Sequence, residues 1–102
     1  MTFVTNMVTE VIKSFAHKGL DAFFRKGTVK GIQARHADRL GRILDRLDAA
    51  AEVRDMDAPG YALHPLKGKF SGHWSVKVSG NWRLTFCFKD GNAHVVNYLD
   101  YH

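Results

Sequence analysis

The last three residues of the chain are Asp100, Tyr101 and His102, an acid, a phenol and an imidazole with no polar tail behind them. Chain ends usually collect disorder and tolerated change, so three such side chains at a terminus either pack or do chemistry. Upstream, "LHPLKG" supplies His64 and Lys67, and the alternating stretch "WSVKVSGNWRLTF" supplies Lys77 and Arg83. Imidazoles titrate near neutral pH and can give or take a proton in a reaction. Lysine and arginine can hold developing negative charge. These parts suffice to drive a ribose 2′-hydroxyl onto its own phosphate. One imidazole takes the hydroxyl proton, another protonates the leaving 5′ oxygen, and the cations stabilise the pentavalent phosphorane. Each residue also has a plain structural reading, since a lone histidine in a strand or a tyrosine at its end most often packs. The chemistry therefore requires the set to converge in space.

Other chemistries find less support. Six histidines are spread along the chain without HxxxH or HExxH spacing, and Cys87 is the sole cysteine, so neither a zinc site nor any cofactor is expected. There is no GxSxG, P-loop or GxGxxG motif, and Cys87 lies in the middle of the apolar run "NWRLTFCF", where a small buried side chain is the simplest reading. One cysteine forms no intramolecular disulfide and suits a reducing, cytoplasmic setting. No apolar run is long enough to span a membrane, and "MTFVTNMVTE" lacks the basic and apolar regions of a signal peptide. A net charge of +5 creates a field that attracts polyanions, nucleic acid or an acidic protein among them.

The elements that must position these residues follow from periodicity. Residues 11–16, "VIKSFA", read as a first strand, and "HKGLDAFFRKG" as a short helix stopped by Gly27. From about Gln33 to Ala51 the apolar positions Ala37, Leu40, Ile43, Leu44, Leu47 and Ala51 form one helical stripe that must be buried against a sheet. Arg35, Arg39, Arg42 and Arg46 form a second, basic stripe, either a solvated face or a contact for phosphate. Beyond Pro59–Gly60 the period becomes alternating. "YALHPL" is a short strand, interrupted by Pro65 and so near an edge. In "GHWSVKVSG", Trp74, Val76 and Val78 face one way, and His73, Ser75 and Lys77 the other. A tight connection at Ser79–Gly80 leads to "NWRLTFCF", a hairpin signal at Asp90–Gly91, and a last strand "HVVNYLDYH". The order is β-α-α-β-β-β-β. It describes an α+β domain with two helices on one face of a mostly antiparallel sheet. The other face, to which alternation assigns Ser75, Lys77, Arg83 and Thr85, is expected to be partly exposed, a polar, basic surface suited to a phosphate backbone.

The blocks "VIKSFAHKGL", "LHPLKG", "WSVKVSGNWRLTF" and "NYLDYH" together resemble the HigB-type toxins of bacterial toxin–antitoxin systems, within the RelE superfamily, from about residue 11 to the end of the chain. The resemblance implies a ribosome-dependent endoribonuclease that cuts mRNA in the A site of the 70S ribosome. It also implies a helix-turn-helix antitoxin through which alone the toxin would reach operator DNA. It assigns catalysis to His64, Asp100, Tyr101 and His102, and phosphate contact to Lys67 and Arg83; Lys77, on the same sheet face, is added from alternation. His102 is read as base, His64 as acid and Asp100 as orienting one imidazole, with the two histidine roles open to exchange. The tyrosine base and cation set of RelE itself are not reproduced. A non-catalytic toxin-fold protein acting through its antitoxin is the rival reading. Residues 1–10 are read as an extension, with Val11 as a candidate start, and residues 11–102 as the toxin domain. In a fully extended last strand Asp100 and His102 would share a face and Tyr101 would point away. Either the tail leaves the strand or Tyr101 plays a supporting part.

Overall fold

A computed structural model describes residues 10–101. Helix α1 (Lys18–Lys26) and helix α2 (Ala37–Asp48) precede strands β1 (His64–Pro65), β2 (His73–Ser79), β3 (Trp82–Lys89) and β4 (Asn92–Asp100). The strands form an antiparallel sheet in the order β1-β2-β3-β4. The α+β architecture is the one expected from periodicity.

Local chemistry sets the helix ends. The His17 imidazole caps α1 by accepting the Leu20 amide through Nδ1 at 2.9 Å. Gly27 closes the same helix with φ 78°, a conformation that costs glycine nothing, and its N–H returns to the Phe23 carbonyl. The second helix is shorter than the stripe predicts. Its first turn is a 3-10 segment, Ala34–His36, because the His36 ring turns inward to Tyr98. It stops at Asp48, whose Oδ1 accepts the amides of Val11 and Ile12 at 3.0 Å each. Ala51 is consequently exposed, and Ala50 is the buried alanine. Where the chain crosses itself, Gly19 and Gly31 meet backbone to backbone, leaving no room for a Cβ on either.

Leu20, Leu40, Ile43, Leu44 and Leu47 are enclosed against Val76, Leu84, Phe86, Val96 and Tyr98, so the helices cover one face as the apolar stripe demands. The expected first strand is reduced to two isolated parallel bridges to β4, Ile12–Ala93 and Phe15–Val96. The cause lies in β4. Val95 adopts φ 47° and gives its amide to the Ser14 hydroxyl at 2.9 Å instead of to a backbone ladder. This is a bulge: the β3–β4 register shifts between Thr85 and Cys87. The expected strand "YALHPL" shrinks to two residues because Ala62 takes φ 49°, which breaks the extension. Both hairpins match expectation, with positive φ at Gly80 in one and at Asp90 and Gly91 in the other.

Candidate active site

Directly paired residues in an antiparallel sheet project to the same side. The register aligns His64, Ser75, Thr85 and Asn97 in one row across all four strands, and Lys77, Arg83 and Leu99 in the next. His64, Lys77 and Arg83 therefore share the face turned away from the helices. That face is partly exposed, as alternation suggests, but Ser75 and Thr85 are not on its open part. Ser75 is 0% exposed and Thr85 5%, because the connection between β1 and β2 folds back over them. Its anchors are Leu66, whose amide bonds the His73 carbonyl at 2.8 Å, and Phe70, which meets the His73 ring edge-on at 6.0 Å between centroids. Lys67 precedes the short 3-10 turn Gly68–Phe70 in this connection and stays exposed.

The Val95 bulge decides where the C-terminal residues face. Val96 and Tyr98 enter the helix-side core, while Asn97, Leu99 and Tyr101 line a cavity of about 100 Å³ under the β1–β2 connection. Tyr101 stays on the sheet, since its amide donates to the Asn81 carbonyl at 2.8 Å. Tyr101 thus joins the face of His64, Lys77 and Arg83, whereas Asp100 pairs with Trp82 on the opposite side of the strand. His64, Lys67, Lys77, Arg83 and Asp100 are not among the cavity's walls. His102 and residues 1–9 lie outside the described residues.

The His64 ring is held in one orientation. Its Nδ1 lies 3.0 Å from the Ala62 carbonyl, an acceptor only, so Nδ1 carries the hydrogen and the neutral ring presents Nε2 as a proton acceptor. Arg83 reaches back to the Gly80 carbonyl at 3.4 Å, which keeps its guanidinium over the first hairpin.

Behind the strand that carries Tyr101 sits an aromatic and imidazole cluster. His36 Nδ1 and Tyr98 Oη are 2.6 Å apart, and Trp82 stacks on Tyr98 at 4.7 Å. Arg35 Nε donates to His36 Nε2 at 3.4 Å. Burial holds the His36 pKa below its ordinary value, helped by the Arg35 charge; burial also lowers that of His17 and raises those of Tyr98 and Cys87. A raised thiol pKa makes Cys87 a poor nucleophile.

The basic stripe of α2 proves largely structural. Arg39 donates through Nη2 to the Gly60 and Lys77 carbonyls at 2.7 and 3.0 Å and covers the Tyr61 ring at 4.7 Å. Arg46 donates to the Asp55 carbonyl at 2.7 Å. Arg42 alone of the four makes no such bond among the described residues.

Sequence reasoning missed Asn97 and the loop residues Leu66 and Phe70 as parts of the cavity. Alternation places His73 on the correct face and gives it no role. Asn97 was hidden by the bulge, which reverses the parity of β4 midway and which a valine at the bulge position does not announce.

A four-stranded antiparallel sheet with two helices on one side is consistent with the fold of the RelE-like toxins. The description "RelE-like toxin of type II toxin-antitoxin system HigB" matches residues 13–102, and the chain belongs to this HigB-like toxin family. Among curated proteins it is similar to the Endoribonuclease HigB of Proteus vulgaris, with 47% identity over 92 residues that cover 90% of this chain and all of that protein. Membership in a type II toxin family implies an antitoxin partner. Among the described residues no helix is long and apolar enough to cross a membrane.

Proposed function

We propose that this toxin is an endoribonuclease that cleaves mRNA by attack of a ribose 2′-hydroxyl on the adjacent phosphate, using its own side chains and no metal. The observation that carries the reading is the shared sheet face: His64, Lys77, Arg83 and Tyr101 project from four different strands or their ends to one side, with Lys67 in the connection above them. The 47% identity to a protein named an endoribonuclease supports it independently. In this reading the His64 tautomer, with Nε2 free to accept, makes His64 the base and His102 the acid, the exchanged form of the two histidine roles. Lys67, Lys77 and Arg83 hold the charge of the phosphorane, Asp100 orients an imidazole, and Tyr101 stacks on or positions the RNA.

The setting that fits is the cytoplasm, with mRNA presented on the 70S ribosome and activity restrained by a helix-turn-helix antitoxin through which the toxin reaches DNA. Residues 11–102 form the toxin domain in this proposal, with 1–10 an extension. Single-turnover cleavage of mRNA on programmed ribosomes tests the enzyme. His64→Ala and His102→Ala should each slow it by roughly 10² to 10⁴ while leaving the antitoxin complex intact. Folded variants that cleave at the wild-type rate would move the active site elsewhere. A wild-type chain that arrests growth without cleaving any RNA would favour the non-catalytic rival. Co-expression with the neighbouring gene should yield a toxin–antitoxin complex that survives purification at micromolar concentration.

A further inference from the structure

The cavity beneath the β1–β2 connection, of which Tyr101 is one wall, has other walls that the roles above leave unused. Its walls combine the aromatic rings of Phe70 and Tyr101, the apolar Leu66 and the polar side chains of His73, Thr85 and Asn97. Two polar atoms on this face are shut away from solvent without a hydrogen-bond partner, Nδ1 of His73 and Oγ of Ser75. Folding normally pairs such atoms; His73 is itself a wall of the cavity, and Ser75 lies next to it across the Ser75–Thr85 pair, so the orphaned His73 nitrogen marks a place where a ligand completes the bonding. Oδ1 of Asn97 is already taken by the Tyr98 amide at 2.9 Å, which leaves its Nδ2 as a donor for the guest.

Size and surroundings narrow the guest further. Cavities of roughly 150 Å³ accept a single benzene ring, so about 100 Å³ with an open mouth takes one flat ring, given a small movement of its cover. That cover can yield, because Gly68 and Gly72 flank its turn with φ 68° and 94°. Lys77 and Arg83 stand in the neighbouring row of the same face and His64 in the row of Thr85 and Asn97, so a phosphate held by the cations leaves its attached base next to the cavity.

Resting on the nuclease reading, we propose that this cavity seats one base of the RNA, unstacked from its neighbours beside the bond that is cut, and that His73 reads its edge. Aromatic walls with a few hydrogen-bonding groups are how single-stranded bases are recognised in general. His73, Thr85 and Asn97 then set which base is preferred at that position, and Phe70 and Tyr101 supply sequence-tolerant stacking.

The test titrates the purified toxin with each of the four nucleoside 5′-monophosphates and with ribose 5-phosphate, following the His73 ring and the Asn97 side-chain amide by NMR. The nucleotides should shift both signals, one base more strongly than the others, and ribose 5-phosphate should leave them unmoved. His73→Ala should weaken nucleotide binding at least tenfold, His73→Gln should restore part of it, and the near-isosteric Thr85→Val should change the order of base preference. Equal shifts from ribose 5-phosphate would show a phosphate site only. Shifts caused by the antitoxin and by no nucleotide would show a docking pocket for a protein side chain; either result overturns the proposal. Cleavage on ribosomes separates this inference from the one beneath it. Base binding without cleavage keeps the cavity and removes the nuclease. Cleavage with unchanged rate and base preference in folded His73→Ala keeps the nuclease and removes the cavity.

Discussion

On the helix side of the sheet, Val76, Leu84, Phe86 and Val96 are fully enclosed beneath Leu40, Ile43, Leu44 and Leu47, and Tyr98 pairs with His36, while Nε of Arg39 is the one buried side-chain atom there without a partner among the described residues. On the loop side Ser75 and Thr85 are just as enclosed, yet the Ser75 hydroxyl and Nδ1 of His73 have no partner and a cavity stays open beside Thr85 and His73. The first face follows the rules of a stable interior, with a continuous apolar layer and an orphaned atom only at its rim, on Arg39. The second breaks them where the charged residues of the proposed site stand. A small domain can tolerate such a defect on one side because the other side supplies the cohesion. The difference between the faces therefore separates what folds this chain from what it does.

The sharpest way to break that separation is to substitute one residue on each side. His64 is exposed and held by a single bond to Ala62, so His64→Ala should change unfolding free energy by no more than about 0.5 kcal/mol while costing roughly 10² to 10⁴ in cleavage rate. Leu47→Ala, wholly inside the helix-side core, should cost about 2–5 kcal/mol in chemical denaturation. The cleavage rate of the Leu47→Ala fraction that remains folded should be close to normal. A large stability loss at His64, or a specific catalytic loss in folded Leu47→Ala, would show that the two faces are not independent.

Acid should act on the helix side through its histidines. His17 must keep Nδ1 unprotonated to cap α1, and His36 is enclosed with its Nε2 occupied by Arg35. Both are held below the ordinary value of 6.5, chiefly by burial, so the unfolded chain binds more protons than the folded one once pH falls through that value. Their contribution is complete above about pH 6.5 and is lost as pH drops toward the folded-state pKa values. The urea midpoint should accordingly fall between pH 7.5 and 5.5, and His36→Gln should flatten part of that slope. An unchanged midpoint across this range would mean that neither imidazole is kept neutral by the fold.

How much of this was legible in the sequence also divides by face. The apolar stripe of α2 and the alternation of β2 and β3 report burial under the helices, because one regular layer against another enforces a period. Both two-residue hairpins were legible from Gly80 and from Asp90–Gly91, whose backbone demands are chemical. The cover of the second face was not. Leu66 and Phe70 sit in an irregular connection without a period, and the burial of Ser75 and Thr85 depends on that connection folding back. His64, Lys67 and Arg83 stand out in sequence because phosphate chemistry calls for such types, and alternation alone puts Lys77 on the face it occupies. The orientation of Tyr101 depended on a single residue in the left-handed region, and nothing about a valine at position 95 foretells it.

That residue allows the finest test of how the faces are joined. At φ 47° a β-branched side chain is strained, and Val95 is 40% exposed, so little packing offsets the strain. Glycine adopts this conformation freely but loses more freedom on folding, which returns part of the gain. Val95→Gly should therefore raise stability by only a few tenths to about 1 kcal/mol. The bulge should persist, because Ser14 still receives the amide of residue 95 and its carbonyl still receives that of Val96. Tyr101 would then keep its side of the strand and cleavage would stay within a few-fold of wild type. If Val95→Gly instead destabilises the chain, the bulge is held by the valine side chain against the cavity, and the register of the C-terminal strand is set from the functional face rather than from the core.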